Sequence, residues 1–479
     1  MGKRWSIMVF AGAVACGGSP EGSDTDAWVG ETEEPGGSSA SASGPGGSGP
    51  GSSGGSGQTS GDPTGPTTDD GSTGQPPVEG PLLERLEVVD IEIPEGVKAG
   101  VSNWRIWGTS SLEVAPVFTS PRPGCGSFIG FTTGANPITA RVAVLDGADG
   151  LETTIDLASG MELRGLAAES DTVFGALLWD PSAQEIFVRR FDVDAGELGS
   201  TPLSNPDNTP TDFGIGDSRL EYGAGQYGAY YHVHSDTGHE GDTLKWVDAA
   251  SGAEDTGWGW GCSHSMSNLL RYNPGVDGFM PACVTDCFPG TSGDFSTNSI
   301  GGIYLNHSQA KVIDVDAGCN GSVAGELGGA GLAPNGWVMA FNAHQAPAGL
   351  GQSSYDTAVK NQDIGFVAID ASLQPGPVVW LTDTPGDEDD AAVSRWQPSD
   401  DATEQYVVGW HGDGTHWLTR VDGAGSVLEG PVELTGVAAW GKRDDPFRAH
   451  ANGDVAWSWF DAAGSTTLHV ARLRAGGGC

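Results

Sequence analysis

Along most of this chain the apolar residues fall in short runs of strand length. They are rich in Val, Ile, Phe, Tyr and Trp and are separated by clusters of Gly, Asp, Asn and Pro. Six of the runs end in an Asp followed by a small-residue turn: 142–146, 187–192, 244–248, 311–314, 366–370 and 417–422. In the first four a glycine stands four places past the Asp, at Gly150, Gly196, Gly252 and Gly318. The steps between Asp146, Asp192, Asp248, Asp314, Asp370 and Asp422 are 46, 56, 66, 56 and 52 residues. A period of that size points to sheets stacked around an axis.

Each Asp run belongs to a larger unit. Upstream lies a second run of aromatic and small residues, as at 127–132, 173–179, 227–234, 337–344 and 406–411. Gly412, Asp413 and Gly414 separate the last of these from the Trp417 run, as a hairpin requires. A third run precedes the pair, at 162–167, 218–222, 393–397 and 437–442, and a fourth follows the Asp turn, at 153–157 and 427–434. Four antiparallel strands in roughly 50 residues, with no amphipathic helix between, describe a propeller blade. A seventh hairpin, 455–460 and 467–473, has Arg474 where the Asp would stand. The chain is therefore expected to be all-β, a seven-bladed β-propeller, with six or eight blades as alternatives. The seventh blade runs out of chain, and the β-rich segment 83–93 is free to supply its outer strand. Two tandem sandwiches would require no such period.

The first 80 residues are of another kind. Lys3 and Arg4 precede an apolar stretch, 5–14, that is too short to span a bilayer. It ends in Ala13-Val14-Ala15-Cys16-Gly17, which resembles the lipobox of bacterial lipoproteins, in which the Cys becomes the lipidated first residue. Ala13 stands where that pattern usually has Leu. A secretory signal cleaved after Ala15, leaving Cys16 free, is the alternative. Residues 17–80 are Gly, Ser, Pro and Thr with ten acids and no Lys or Arg. Such a segment buries no core, and it is expected to act as a tether reaching roughly 40–50 Å. The expected layout is a signal peptide (1–15), a disordered tether (16–80) and a propeller domain (81–479). That layout resembles the tethered lipoproteins common in myxobacteria, and implies a cell-envelope location, at the outer membrane or cell surface.

Charge and cysteines agree with export. The formal charge of −41, from 63 acids against 22 bases, repels nucleic acid and anionic headgroups, so contact with a membrane is expected through the lipid alone. Beyond Cys16 there remain Cys125, Cys262, Cys283, Cys287, Cys319 and Cys479, an even set suited to disulfides. Cys283 and Cys287 are close enough to pair across a turn, and a bond to Cys479 would pin the C-terminus. Zinc is disfavoured because Cys-x3-Cys has no second pair at ligand spacing.

Polar chemistry crowds residues 230–345. His232 and His234 share one face of a strand, with Asp236, His239 and Glu240 in the turn beyond, a set able to hold zinc, iron or copper. They equally suit hydrogen bonds between blades. Trp258 and Trp260 suit stacking on a sugar or a cation, or filling an inter-blade groove. Ser263, His264 and Ser265 should enter the innermost strand of blade four and face the channel. Ser263 and His264 point to opposite faces and form no dyad. His344 occupies the same blade position as the His232 strand and leads into a long insertion, 346–362; a second insertion covers 288–298. The recurrent Asp residues are expected to cap their own turns, although Asp192–Asp194 and Asp314–Asp316 superficially resemble calcium loops. The acid run Asp387, Glu388, Asp389 and Asp390 is the better calcium candidate, with a solvated loop as its plain reading. Two functions follow. One is an envelope scaffold binding a protein or glycan. The other is a metal-dependent envelope enzyme, a hydrolase or lyase, built on the histidines over blades three to five.

Overall fold

The computed structural model describes residues 82–100, 114–204, 214–234, 240–259, 262, 267–285, 300–307, 310–316, 325–345, 361–398, 401, 403–434, 440 and 445–477. All fall within one compact unit, Thr73–Cys479. The strands make seven four-stranded antiparallel sheets, each a blade of a ring. Blades one to six each use four consecutive strands. Their innermost strands are Phe118–Pro121, Glu162–Ala168, Gly214–Gly223, Asn268–Asn273, Gly325–Ala333 and Glu388–Arg395. The blade count and the all-β class agree with the sequence reading.

Blade seven closes the ring. It contains Arg448–Ala449, Val455–Trp459 and Thr467–Leu473, and its outermost strand is Leu86–Glu92 from the opposite end of the domain. The register runs unbroken from Leu86 opposite Leu473 to Glu92 opposite Thr467. Two details depart from the sequence reading. The innermost strand of blade seven is Arg448–Ala449, not the run 437–442. In blade six the strand begins at Glu388, so the acid run enters a strand and does not form a solvated loop. Glu388 is 4% exposed and Asp390 8%. The unbroken run of acids hid the start of this strand, because alternation is invisible where polar residues face both sides.

The recurrent Asp residues cap their turns. Asp146 Oδ1 accepts the N–H groups of Ala148 and Gly150, each at 2.8 Å. Asp192 does the same for Asp194 and Ala195, Asp248 for Ser251, Asp370 for Ser372 and Gln374, and Asp422 for Ala424 and Ser426. A short carboxylate replaces the backbone acceptor that the turn lacks. The side chain of Asp314 lies outside the described residues.

Packing follows the ring. Seven buried apolar clusters fill the seven interfaces between neighbouring blades. Phe128, Phe174 and Leu163 join blades one and two. Trp337, Met339 and Leu269 join blades four and five. Ile91, Val470 and Phe131 join blades seven and one. The blade three–four cluster has six buried members among the described residues, against ten to fifteen elsewhere. That interface is filled in part by polar groups, described below.

The closing seam carries a buried charge network. Arg472, 1% exposed, donates from Nε to Asp149 Oδ2 at 2.7 Å, across to blade one. Arg474, the residue that breaks the Asp pattern, reaches Glu87 on the N-terminal strand at 2.7 Å and Asp149 and Asp454, each at 3.3 Å. The seventh repeat thus departs from the pattern where its side chain bridges the Leu86–Glu92 strand, blade one and blade seven. Arg472→Ala would leave the buried Asp149 without its nearest counter-charge, at a cost of about 3–5 kcal/mol. Glu87→Ala removes a partner that is 59% exposed and should cost less than about 1 kcal/mol. Urea unfolding of the two variants against the parent measures the contrast.

Candidate functional site

The seven innermost strands surround the ring's axis, and at their C-terminal ends they ring a cavity of 180 Å³. Ser120, Ala168, Glu221, Tyr222, Arg271, Tyr272, Leu332, Ser394 and Arg448 line it, so every blade contributes. This follows from strand polarity: the corresponding strand of each blade runs in the same sense along the axis, so its last residues meet at one mouth.

Four charges occupy the throat. Arg271 bonds Asp445 through Nη2 and lies 3.4 Å from Glu221. Arg448 lies 3.0 Å from both Glu221 and Asp445. The quartet joins blades three, four and seven, and Arg271 Nε also donates to the Ala330 carbonyl of blade five at 3.2 Å. Asp445 adopts φ 66° and gives its backbone N–H to Gly328 at 3.0 Å. Gly329, at φ 138°, lets this segment approach, since a Cβ there would stand 3.2 Å from the Asp445 Cα. The quartet is charge-balanced and mutually paired, so a neutral polar ligand suits the mouth better than an ion.

Aromatic rings flank the mouth between blades three and four. Tyr222 and Tyr272 line the cavity and are both half-buried. Tyr222 packs on Tyr227 at 5.0 Å, Tyr272 on Phe279 at 4.8 Å, and Phe279 on Trp246 at 4.7 Å. Tyr272 lies over Gly223, where a Cβ would fall 2.2 Å from its ring. Its hydroxyl donates to Asp277 at 2.7 Å, which fixes the ring plane. The sequence held these residues in plain view, yet nothing in their spacing separates a mouth tyrosine from a core tyrosine.

Of the residues singled out in the sequence, those that are described lie elsewhere. His232 is fully buried in the strand Gln226–His234, directly opposite Asp242, itself fully buried, on Glu240–Asp248. Opposite residues of an antiparallel pair share a face, and Tyr230, two places on, shares it too. Trp258 is half-buried, meets Tyr230 edge-on at 5.8 Å and His307 at 5.2 Å, and belongs to the blade three–four interface. Asp242 also lies close to the bond between Cys262 and Cys283. Cys283 is therefore joined to Cys262 and not to Cys287. Cys125 is disulfide-bonded as well. The strand bearing His344 pairs as expected, with its backbone opposite Gln362. The side chains of His234 and His344 lie outside the described residues, as do Cys16, His239, Trp260, Ser263, His264, Ser265, Cys287, Cys319 and Cys479. His234 pairs in register with Gly214, at the start of the innermost strand. The histidine-bearing edge is thus the end of the ring opposite the cavity.

No family model matches this chain, and no curated protein matches it. Solved structures resemble it distantly. The β-propeller domain of the Trilobed protease from Pyrococcus furiosus, described as having an open velcro topology, is 8% identical, with TM-score 0.39 over 75% of this chain and 93% of that one. An α-L-arabinanase from Penicillium chrysogenum, complexed with arabinobiose, is 9% identical, with TM-score 0.37 over 81% and 99%. The Synechocystis apocarotenoid oxygenase is 10% identical, with TM-score 0.38 over 71% and 78%.

Burial pushes the Asp242 carboxyl up to about 6, against the pull of the Tyr230 hydroxyl and the Trp258 indole. In the unfolded chain an Asp releases its proton near 4. Between these values the folded chain holds the extra proton, so Asp242 makes stability fall as pH rises through the window. His416, lowered by burial to about 4, and His450, lowered by burial and by Arg472, act in the opposite sense over an overlapping range. The difference between Asp242→Asn and the parent isolates the carboxyl. Near pH 4 the two should be equally stable; at pH 7.5 the variant should be more stable by about 2–3 kcal/mol. Urea unfolding at both pH values provides the measurement.

Proposed function

We propose that this chain is a lipid-anchored envelope module that binds a glycan at the C-terminal mouth of its propeller channel. The carrying observation is the 180 Å³ cavity ringed by seven strands and flanked by Tyr222 and Tyr272. It is smaller than the roughly 300–1,000 Å³ of pockets for drug-sized ligands, and so suits one sugar ring or one protein side chain. Tyrosines combine an apolar face for sugar C–H groups with a hydroxyl for its edges. The paired charges in the throat offer fixed donors and acceptors without a net field. Cys16 would carry the lipid, and residues 17–80 would hold the propeller away from the membrane. A protein partner is the other occupant this mouth would accept, through an inserted side chain.

The metal-dependent hydrolase or lyase is the weaker reading. It draws on His232, His234 and His239, and His232 is fully buried, where a substrate would have to displace an inter-blade contact.

Glycan-array binding followed by calorimetry on a hit tests the proposal. Tyr272→Ala should weaken binding about 5–10-fold, in line with about 1–1.5 kcal/mol for an aromatic contact, while Tyr272→Phe keeps most of it. Saturable binding that Tyr222→Ala and Tyr272→Ala both leave intact would place the ligand elsewhere. For the anchor, Cys16→Ser should move the protein from the membrane fraction to the soluble one and abolish acyl labelling; a parent chain without acyl label removes the anchor from the proposal.

A further inference from the structure

Between the innermost strand of blade six and its neighbour Gln405–Gly412, at the end of the ring opposite the cavity, three side chains converge. Asp389 pairs in register with His411, and its Oδ1 stands 2.7 Å from His411 Nδ1. The pairing then slips between Asp389 and Ala392. Such a bulge places two successive side chains where a regular strand would place one, and so brings Asp390 beside Asp389. One ligand atom from each of Asp389, Asp390 and His411 lies within 4.8 Å of the other two. Ligands at about 2.1 Å from a common ion, in tetrahedral or octahedral arrangement, have separations of that order.

The surroundings are built and not merely acidic. The Asp390 carbonyl accepts the Trp440 indole N–H at 2.8 Å, which pins the bulge. His416 packs between His411, at 5.1 Å, and the edge of Trp440, at 4.6 Å. The remaining acids of the run are engaged elsewhere. Glu388 accepts the hydroxyls of Thr382 and Thr384, and Asp387 accepts the Gln362 N–H at 3.0 Å. Asp389 and His411 remain about one-third exposed, leaving an entry path.

We propose that Asp389, Asp390 and His411 form a binding site for a first-row divalent transition ion, Zn²⁺ or Mn²⁺, with open positions toward solvent. One imidazole with two carboxylates favours such ions over Ca²⁺, which takes oxygen ligands. The ion replaces the His411–Asp389 hydrogen bond, with the Nδ1 lone pair turned to the metal. It would tie the second strand of blade six to its innermost strand at the bulge.

The test is calorimetric titration of the chelator-treated full chain with Zn²⁺, Mn²⁺ and Ca²⁺, with Co²⁺ absorption as a report on ligands. The expected result is one equivalent of Zn²⁺ or Mn²⁺ at micromolar affinity or tighter, with Ca²⁺ at least 10-fold weaker. His411→Ala and Asp389→Asn should each reduce that affinity at least 10-fold and remove the metal-dependent rise in Tm. Asp413→Asn, a nearby acid outside the cluster, should change neither, and far-UV circular dichroism checks that each variant is folded. No saturable binding by the parent overturns the site. So does binding that survives in the folded Asp389→Asn, His411→Ala double variant, which would move the ion to other histidines such as His232.

Discussion

Everything in this domain depends on closing a ring. Each blade buries both faces, one against each neighbour, so an open seam would expose the apolar surfaces of two blades and a free strand edge. The chain meets this constraint by pairing Leu86–Glu92 with Thr467–Leu473 in one sheet. The ends of the domain are thereby hydrogen-bonded to each other. Arg472, Arg474, Asp149, Asp454 and Glu87 add a charge network across the seam. Buried pairs of this kind add little compared with an apolar core, but they specify partners, because a misregistered strand would leave buried charge unmatched.

The axis imposes a second constraint. Seven strands pointing inward bring polar side chains into a narrow, poorly solvated space. Unpaired charge there would be costly, and the chain answers with the balanced quartet of Glu221, Arg271, Asp445 and Arg448. Its members come from three blades, so the same contacts that neutralise the throat also fix the blades relative to one another. Three of its members also line the small cavity at the mouth, beside Ser120, Ser394, Tyr222 and Tyr272.

Blades three and four form the exceptional interface. Its described apolar cluster is the smallest of the seven, and Asp242, Tyr230, His232 and the Cys262–Cys283 bond occupy the space. A disulfide closing a loop of that length contributes about 3 kcal/mol in the chain-entropy account, enough to offset the carboxyl that burial drives up to about 6. Among the described polar residues between 230 and 345, His232 and Asp242 are fully buried and face each other in this part of the ring.

Much of the architecture was legible in one dimension. The Asp-capped hairpins are local: a strand ending in Asp and a small-residue turn carry their own hydrogen bonds, so their spacing reveals the blade period. Arg474 in place of Asp marked the closing blade, and the unpaired 83–93 segment marked the strand that completes it. Local patterning failed where polar residues face two packed surfaces, as in the strand beginning at Glu388, and where a strand is only two residues long, as at Arg448–Ala449. The sites are non-local by construction. Glu221 and Arg448 are 227 residues apart and meet because the ring returns the chain to its axis. Tyr222 and Tyr272 become neighbours through blade packing, and Asp390 joins Asp389 and His411 through a bulge. Sequence by itself determined the repeat, the closure and the capping, since each is set by neighbours along the chain or by one period. Only the tertiary structure decided which polar residues face the channel, which fill an interface and which converge, because circular closure brings distant positions together.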